Sequence, residues 1–235
     1  MTSVSARRKR ASRGSGELLR EEIIAATKDL LAESASSDAV SIRAVADAVG
    51  VTPPSIYLHF ADKDALIEAV VVDVFNELDA AMLAAAEGVE KPLDVLCACG
   101  LAYVTFAIAH PEHYRLATME LHSMHAPDDA LSPVDHVLAD SAFTHFMATV
   151  SACMDAGIFA KGDPVPVTLE LWAAAHGIAS LMIAKPFLPW GDKLEAANRV
   201  LRAAALGRAV NDARSGDMTP QDVEEWLAAQ RLPGE

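Results

Sequence analysis

The stretch Val40–Asp64, VSIRAVADAVGVTPPSIYLHFADKD, constrains this chain more than any other. Counted from Ile42, a small residue stands at the fifth place (Ala46), a glycine at the ninth (Gly50) and an apolar residue at the fifteenth (Ile56). Two short helices that cross closely need this spacing. The small side chain lets the backbones approach, the glycine takes a left-handed turn, and the apolar residue packs back across the crossing. Ser41 suits the N-cap of the first helix and Thr52 that of the second, with Pro53 at its first helical position. The pair is too small to bury anything alone, so a third helix must lie behind it. The pattern predicts a helix-turn-helix whose second helix, Pro53–His59, has the form of a segment that enters a DNA groove.

The segments on either side supply helices. Glu17–Ser34 places Ile23, Ala26, Thr27, Leu30 and Leu31 on one face and provides the third helix. Asp62 suits the cap of a long helix from Lys63 to about Glu87, in which Ile67, Val71, Val74, Leu78 and Met82 recur every three or four residues, with Val70 and Phe75 widening the stripe. Gly88–Pro92 breaks the pattern and marks a domain boundary. Beyond it, helices are expected over Leu93–Ala109, Pro111 to about Leu121, Pro133–Ala156, Asp163–Ala184, Asp192–Ala209 and a short terminal stretch from Thr219 to Gln230. His122–Ser132 reads as a polar loop, and Lys185–Gly191 as a rigid apolar connector. The expected fold is all-α. A three-helix domain (17–62) follows a basic arm (1–16), and a connecting helix (63–87) leads to a helical-bundle domain (88–235).

Net charge is −14, which looks wrong for a nucleic-acid binder until its distribution is considered. Residues 1–63 carry 9 Lys and Arg against 8 Asp and Glu, whereas residues 64–235 carry 10 against 25. The near-neutral part, with five basic residues in its first thirteen, suits phosphate, and the acidic part should face away from it. The arm itself reads as a solvated tail that can add phosphate or minor-groove contacts. Three cysteines make no disulfide framework, since Cys97 and Cys99 stand two apart on a helix and point away from each other. Neither a signal peptide nor an uninterrupted apolar run of membrane-spanning length is apparent, so a cytoplasmic location is expected.

Ile42-Arg43-x-Val45-Ala46-x-x-x-Gly50-Val51-Thr52, followed by Ile56-Tyr57-x-His59-Phe60-x-x-Lys63-x-x-Leu66, resembles the DNA-binding domain of the TetR family of bacterial repressors. Trp172-x-x-x-His176-Gly177-x-x-x-Leu181 and His110-Pro111-Glu112-x-Tyr114-Arg115 are similar to a TetR C-terminal subfamily named for its W-H-G residues. The resemblance implies a transcriptional repressor, not an enzyme, that binds a palindromic duplex as a homodimer and is released by a small effector.

The residues themselves indicate who would do this. Thr52, Pro53, Pro54, Ser55 and Leu58 would face or flank the groove, while Tyr57, His59 and Lys63 suit phosphate oxygens. The second helix lacks the Arg or Asn of bidentate base readout, which leaves Arg43 as the best candidate reader and DNA shape for the rest. In the C-terminal part, Phe75, Tyr103, Phe106, Met119, Phe143, Phe146, Met147, Trp172 and His176 make a soft aromatic inventory that suits either a plain core or a pocket for a small, largely apolar effector. Leu169, Ala173, Ala197 and Ala204 suit a dimer face of two helices per subunit.

Two rival readings use the histidine-rich 110–125 segment, where His110/His113 and His122/His125 each stand three apart near Glu112, Glu120 and Asp128. A metal-responsive regulator is one, and a metal-dependent helical hydrolase the other. Pro111 distorts the first pair, and no nucleophile elbow, phosphate loop or dinucleotide fingerprint occurs, so neither a metal nor a cofactor is expected.

Overall fold

The structure is a computed structural model, and it describes residues 15–34, 40–118, 141–214 and 219–230. Among these residues every regular element is a helix: α1 (Ser15–Ser34), α2 (Ile42–Val49), α3 (Pro53–Ile56), α4 (Lys63–Ala86), α5 (Pro92–Ala109), α6 (Pro111–Thr118), α7 (Ser141–Asp155), α8 (Pro164–Ala184), α9 (Lys193–Ala213) and α10 (Pro220–Gln230). The all-α expectation holds. The chain divides into two compact units, residues 1–81 with 106–143 and residues 82–105 with 144–235. The divisions fall inside α4, α5 and α7, whereas the turn at Gly88, where φ is +75°, separates α4 from α5.

In the first unit, α1, α2 and α3 pack as the spacing requires. Val45, Ala46 and Ile56 are wholly buried, so the small residue and the apolar residue meet the interior where the backbones close. Ser41 Oγ accepts from the Ala44 amide at 3.1 Å, which satisfies one of the orphan donors at the start of α2. Gly50 takes φ +76°, and the Val51 amide donates to the Ala46 carbonyl at 2.9 Å, closing the helix end.

The second helix is shorter than the expected Pro53–His59. Regular α-helix stops at Ile56, because both the His59 and Phe60 amides turn onto the Ile56 carbonyl at 2.9 and 3.0 Å. One acceptor then serves an i→i+3 and an i→i+4 donor, which tightens the backbone into a turn over Tyr57–His59. Asp62 caps α4 through the Ala65 amide at 2.8 Å, as expected.

A buried lysine binds this unit together, and its role is not apparent from the sequence. Lys28, 8% exposed on α1, donates to Asp73 Oδ2 at 2.8 Å and also to Glu77, one turn further along α4. Burial pushes the lysine pKa down, but the hydrogen bonds and charges of Asp73 and Glu77 outweigh it and leave the group above its ordinary value. On α6, His113 Nε2 lies 3.3 Å from the Lys28 carbonyl oxygen, and Tyr114 and Leu116 fill the core beside α1.

The second unit is organised on α8 and α9, which pack along each other. Asp163 and Asp192 cap them through the Val165 and Glu195 amides at 3.0 and 2.9 Å. At Gly100 an added Cβ would lie 3.4 Å from a Leu201 methyl, so α5 passes close to α9. The latter runs four residues past the expected Ala209. Its last turn is held by Arg208, which pairs with Asp212 at 2.7 Å and reaches Glu170 at 3.2 Å, while Asp212 also accepts from the Ala160 amide at 2.9 Å. Thr219 and Asp222 cap α10 reciprocally, with the Thr219 amide donating to Asp222 at 2.8 Å and the Asp222 amide to Thr219 Oγ1 at 3.3 Å.

Helices α5 and α8 are long and apolar enough, by length and composition, to cross a bilayer, unlike the expectation from uninterrupted runs. Their apolar side chains include Leu96, Cys99, Tyr103 and Val104 on α5 and Val167, Leu171, Ala179 and Met182 on α8, all buried in the protein. A core helix of a bundle has this same composition. The expected loop 122–132, and the start of the helix expected from Pro133, lie outside the described residues.

The left-handed turn gives a direct expectation. A Cβ at Gly50 would meet nothing within 4 Å, so Gly50→Ala should lose stability through backbone conformation alone, by about 1 kcal/mol. Urea denaturation of the two proteins measures it, and an unchanged midpoint would show that the turn does not need φ above zero.

Candidate nucleic-acid interface and aromatic cluster

Along α3 and the turn that follows, inward and outward side chains separate cleanly. Ile56 and Phe60 are buried, while Tyr57 and Leu58 are 54% and 84% exposed, and Thr52 and Pro54 also face solvent. Pro53, Ser55, His59 and Lys63 are half-buried, and Arg43 projects from the first turn of α2. Thr52 occupies the N-cap position with extended backbone, but its hydroxyl pairs with Ser55 Oγ at 3.0 Å instead of capping an amide. Arg20 lies over the inner ring of Phe60, 5.2 Å from its centroid. The start of α1 comes to the same place, since a Cβ on Gly16 would stand 3.9 Å from His59 Cε1. An exposed, mostly uncharged ridge backed by the buried Ile56 and Phe60 results.

The second unit joins three of the expected effector residues. Trp172 Nε1 donates to the Tyr103 hydroxyl at 3.1 Å, and that hydroxyl lies 3.2 Å from His176 Nδ1. The Trp172 and His176 rings meet edge-on with centroids 6.1 Å apart. Burial holds the His176 imidazole below its usual pKa, so near neutral pH it is uncharged and can accept from the phenol. Phe146 and Met147 follow on α7 in the same unit. Phe146 lines an apolar void of about 20 Å³ with Leu96, Cys97, Gly100, Leu171, Leu201 and Ala205, room for about one water.

The other expected effector residues fall elsewhere. Phe75, Phe106 and Phe143 belong to the first unit, where Phe106 packs on His110 with centroids 5.1 Å apart, and Met119 lies outside the described residues. Thr105, two residues after Tyr103, is exposed and its hydroxyl donates to the Leu101 carbonyl at 2.8 Å. Sequence reasoning missed Leu96, Gly100, Leu171 and Leu201, because plain aliphatic spacing does not distinguish a void lining from a filled core.

His110, just before α6, and His113 on it are stacked, with rings 5.9 Å apart and nearly parallel, and His113 is engaged with the Lys28 carbonyl. Among the described residues no three His, Cys, Asp or Glu side chains gather as metal ligands. His122 and His125 lie outside those residues.

Comparison with known proteins places this geometry. Residues 23–70 match the family described as bacterial regulatory proteins, tetR family, and residues 96–205 match the tetracyclin repressor-like C-terminal domain. Together the two matches cover about two thirds of the 235 residues. No curated protein sequence matches the chain. Among solved structures, a protein of unknown function from Rhodococcus sp. RHA1 is 28% identical, with a TM-score of 0.68 over 86% of this chain and 97% of its own. A TetR family transcription regulator from Marinobacter aquaeolei VT8 shares the fold at 17% identity, with a TM-score of 0.63 over 82% of this chain and 98% of its own. RolR, solved in complex with resorcinol, does so at 16% identity, with a TM-score of 0.60 over 95% of this chain and 99% of its own. With its helix-turn-helix and its helical C-terminal part each matched to the same family, the chain belongs to the TetR family of transcriptional regulators, which are DNA-binding proteins and not enzymes.

Proposed function

We propose that this regulator is a cytoplasmic repressor that binds a palindromic operator as a homodimer and is released by a small, largely apolar effector. The observation that carries the reading is the exposed ridge of Pro54, Tyr57 and Leu58 on an Ile56–Phe60 anchor. Large apolar side chains left in solvent on a well-packed element mark a contact surface. In this reading residues 17–62 bind DNA, 63–87 connect, and 88–235 bind effector and dimerise. Thr52, Pro53, Ser55 and His59 flank the contact, Tyr57 and Lys63 meet phosphate, and Arg43 reads bases.

Selection from random duplexes should enrich a palindrome with half-sites one or more helical turns apart. Tyr57→Ala and Lys63→Ala should weaken binding across all sequences, and Lys63→Ala should also reduce its dependence on salt. Arg43→Ala should instead relax base preference at one position per half-site, by about 1–3 kcal/mol of discrimination. Recovery of no enriched palindrome would sink the operator reading.

For dimerisation, α8 exposes Leu169, Ala173 and Leu181, and α9 exposes Leu194, Val200 and Leu206. Ala197, expected on this face from the sequence, is wholly buried inside its own unit, and Ala204 is half-buried. Small and aliphatic side chains on two adjacent helices suit a four-helix interface with a second copy. Ala173→Asp with Leu206→Asp should give monomers in sedimentation that lose operator affinity at least about tenfold, since one half-site holds weakly. An unchanged dimer would move the interface elsewhere.

The effector reading rests on Tyr103, Trp172 and His176, a polar handle inside an apolar bundle, and on RolR, a structure of this fold solved with the small aromatic resorcinol. Phe146 and Met147, in the same unit, are proposed as part of the apolar lining. The void of about 20 Å³ must open to admit such a guest, and α4, with residues in both units, is the continuous element that can carry the change to Lys63. Coupling is reciprocal, so saturating operator should weaken a confirmed ligand by the factor with which that ligand weakens operator, typically about 5- to 150-fold. Titration calorimetry with and without operator reads it, and equal affinities would refute release by an apolar inducer.

A further inference from the structure

A glycine buried inside a helix is unfavourable twice over. It loses more conformational freedom on folding than alanine does, and it leaves open the space that a methyl would take. Gly100 is such a residue, buried in the interior of α5. The three atoms nearest to a Cβ built there all belong to Leu201, its two methyls at 3.4 and 3.6 Å and its Cγ at 3.9 Å. Those are ordinary contact distances, so alanine would fit without a clash. The void of about 20 Å³ that Gly100 and Leu201 both line has room for about one water, and so for about one methyl. Helix propensity and close packing thus both favour alanine here, and the glycine keeps open a space that neither calls for.

This space adjoins a polar group. Tyr103 follows Gly100 by three residues on α5, about 4.5 Å along the axis, and Trp172 directly follows Leu171, another lining residue, on α8. Each helix therefore carries a lining residue and a relay residue within one turn, all in the same unit. An indole N–H can only donate, which fixes the direction of the relay. The Tyr103 hydroxyl accepts from Trp172 and passes its own proton to His176 Nδ1. A guest hydroxyl can donate to the phenol oxygen. A guest carbonyl can receive the phenol proton instead, once the imidazole takes its other tautomer and donates to the phenol. An anion is matched poorly, because no lining side chain is charged. Arg202 is felt at Cys97, but burial outweighs it there, and its own side chain faces solvent.

We propose that Gly100 is the position that selects the effector: the space beside it and the Tyr103–Trp172–His176 relay together take a small uncharged ring that carries a hydroxyl or carbonyl oxygen. This rests on the effector reading above and adds the chemical class of the guest. A ring exceeds the void, so Leu201, whose side-chain end faces Gly100, must yield to admit it. A flat guest asks for the least separation of α5 from α9.

Phenol is the probe, with benzene lacking the oxygen and benzoate lacking the neutrality. The isotope-labelled full chain gives three indole N–H resonances, from Trp172, Trp190 and Trp226. Trp190, bonded to the Lys185 carbonyl at 2.9 Å, and Trp226 on α10 serve as internal references. Phenol should move the Trp172 resonance saturably and the references little. Benzene should bind at least about tenfold more weakly, because it leaves the relay unmatched, and benzoate should leave Trp172 in place. Gly100→Ala should raise the urea midpoint, which reports an intact fold, and weaken phenol by about 10- to 200-fold, the reach of one methyl in an apolar site. Tyr103→Phe should erase the preference for phenol over benzene. No saturable shift of Trp172, benzoate bound as well as phenol, or full phenol affinity in Gly100→Ala each overturns the proposal. The duplex recovered by selection separates the two readings. If phenol binds as described without weakening that duplex, release by an apolar effector fails and the site stands. If phenol releases the duplex equally from the parent chain and from Gly100→Ala, only the role of Gly100 fails.

Discussion

An ammonium group placed between two helices is unfavourable unless its charge is met on the spot. In this protein Lys28 is met twice, by Asp73 and Glu77, one turn apart on α4. The arrangement fixes the rotation of α1 about its own axis, because only one face of α1 can bring its lysine to both carboxylates. Since α2 packs on α1 and α3 on α2, the pose of α3 depends on this ion cluster. The carboxylates remain about half exposed, so their worth is that of partly screened pairs and not of a dry interior. The raised lysine pKa sets the pH window. The contribution is fully present below the ordinary lysine value and disappears only as pH climbs through the raised one, so it is constant across neutral conditions.

The second unit solves a different problem. Its interior is apolar almost throughout, and such a core tolerates many near-equal packings. Trp172, Tyr103 and His176 break that degeneracy, since an indole N–H, a phenol and a neutral imidazole satisfy one another in one arrangement. The depressed imidazole pKa reverses the lysine's pH logic. The unfolded chain takes up a proton near pH 6.5 before the folded one does, so the contribution is present above that range and is lost as pH falls. Acid therefore weakens the second unit at this imidazole.

The helix-turn-helix was legible at Ser41, Ala46, Gly50 and Ile56, because a cap, a close crossing, a left-handed turn and a buried contact each admit few side-chain types. The capping aspartate at 62 was legible too, whereas Asp163 and Asp192 were read only as the first residues of their helices and prove to be the caps. The early stop of α3 was not, since Tyr57, Leu58 and His59 are all tolerated in a helix and only the shared Ile56 carbonyl decides the matter. The run of α9 to Ala213 was missed because apolar periodicity ended at Ala209, while the final turn is held by the Arg208–Asp212 pair. Lys28 escaped notice because a lysine on an amphipathic helix ordinarily reaches water, and its partners stand 45 and 49 residues away. Grouping of residues 106–143 with the N-terminal unit depends on long-range packing of α6 on α1, which no local pattern encodes.

The three cysteines share a chemical character that follows from their surroundings. Burial raises the Cys97 thiol, pushes that of Cys153 up to about 11, and leaves Cys99 donating to the Met82 carbonyl across 3.7 Å. At neutral pH a thiol like that of Cys153 is ionised only about once in ten thousand molecules, and the thiolate is the form that attacks disulfides, maleimides and peroxides. The interior sulfur is accordingly inert toward reagents that modify exposed thiols within minutes. A single cysteine introduced on the surface would take up a fluorophore or spin label well ahead of the buried Cys99 and Cys153, without first rebuilding the core.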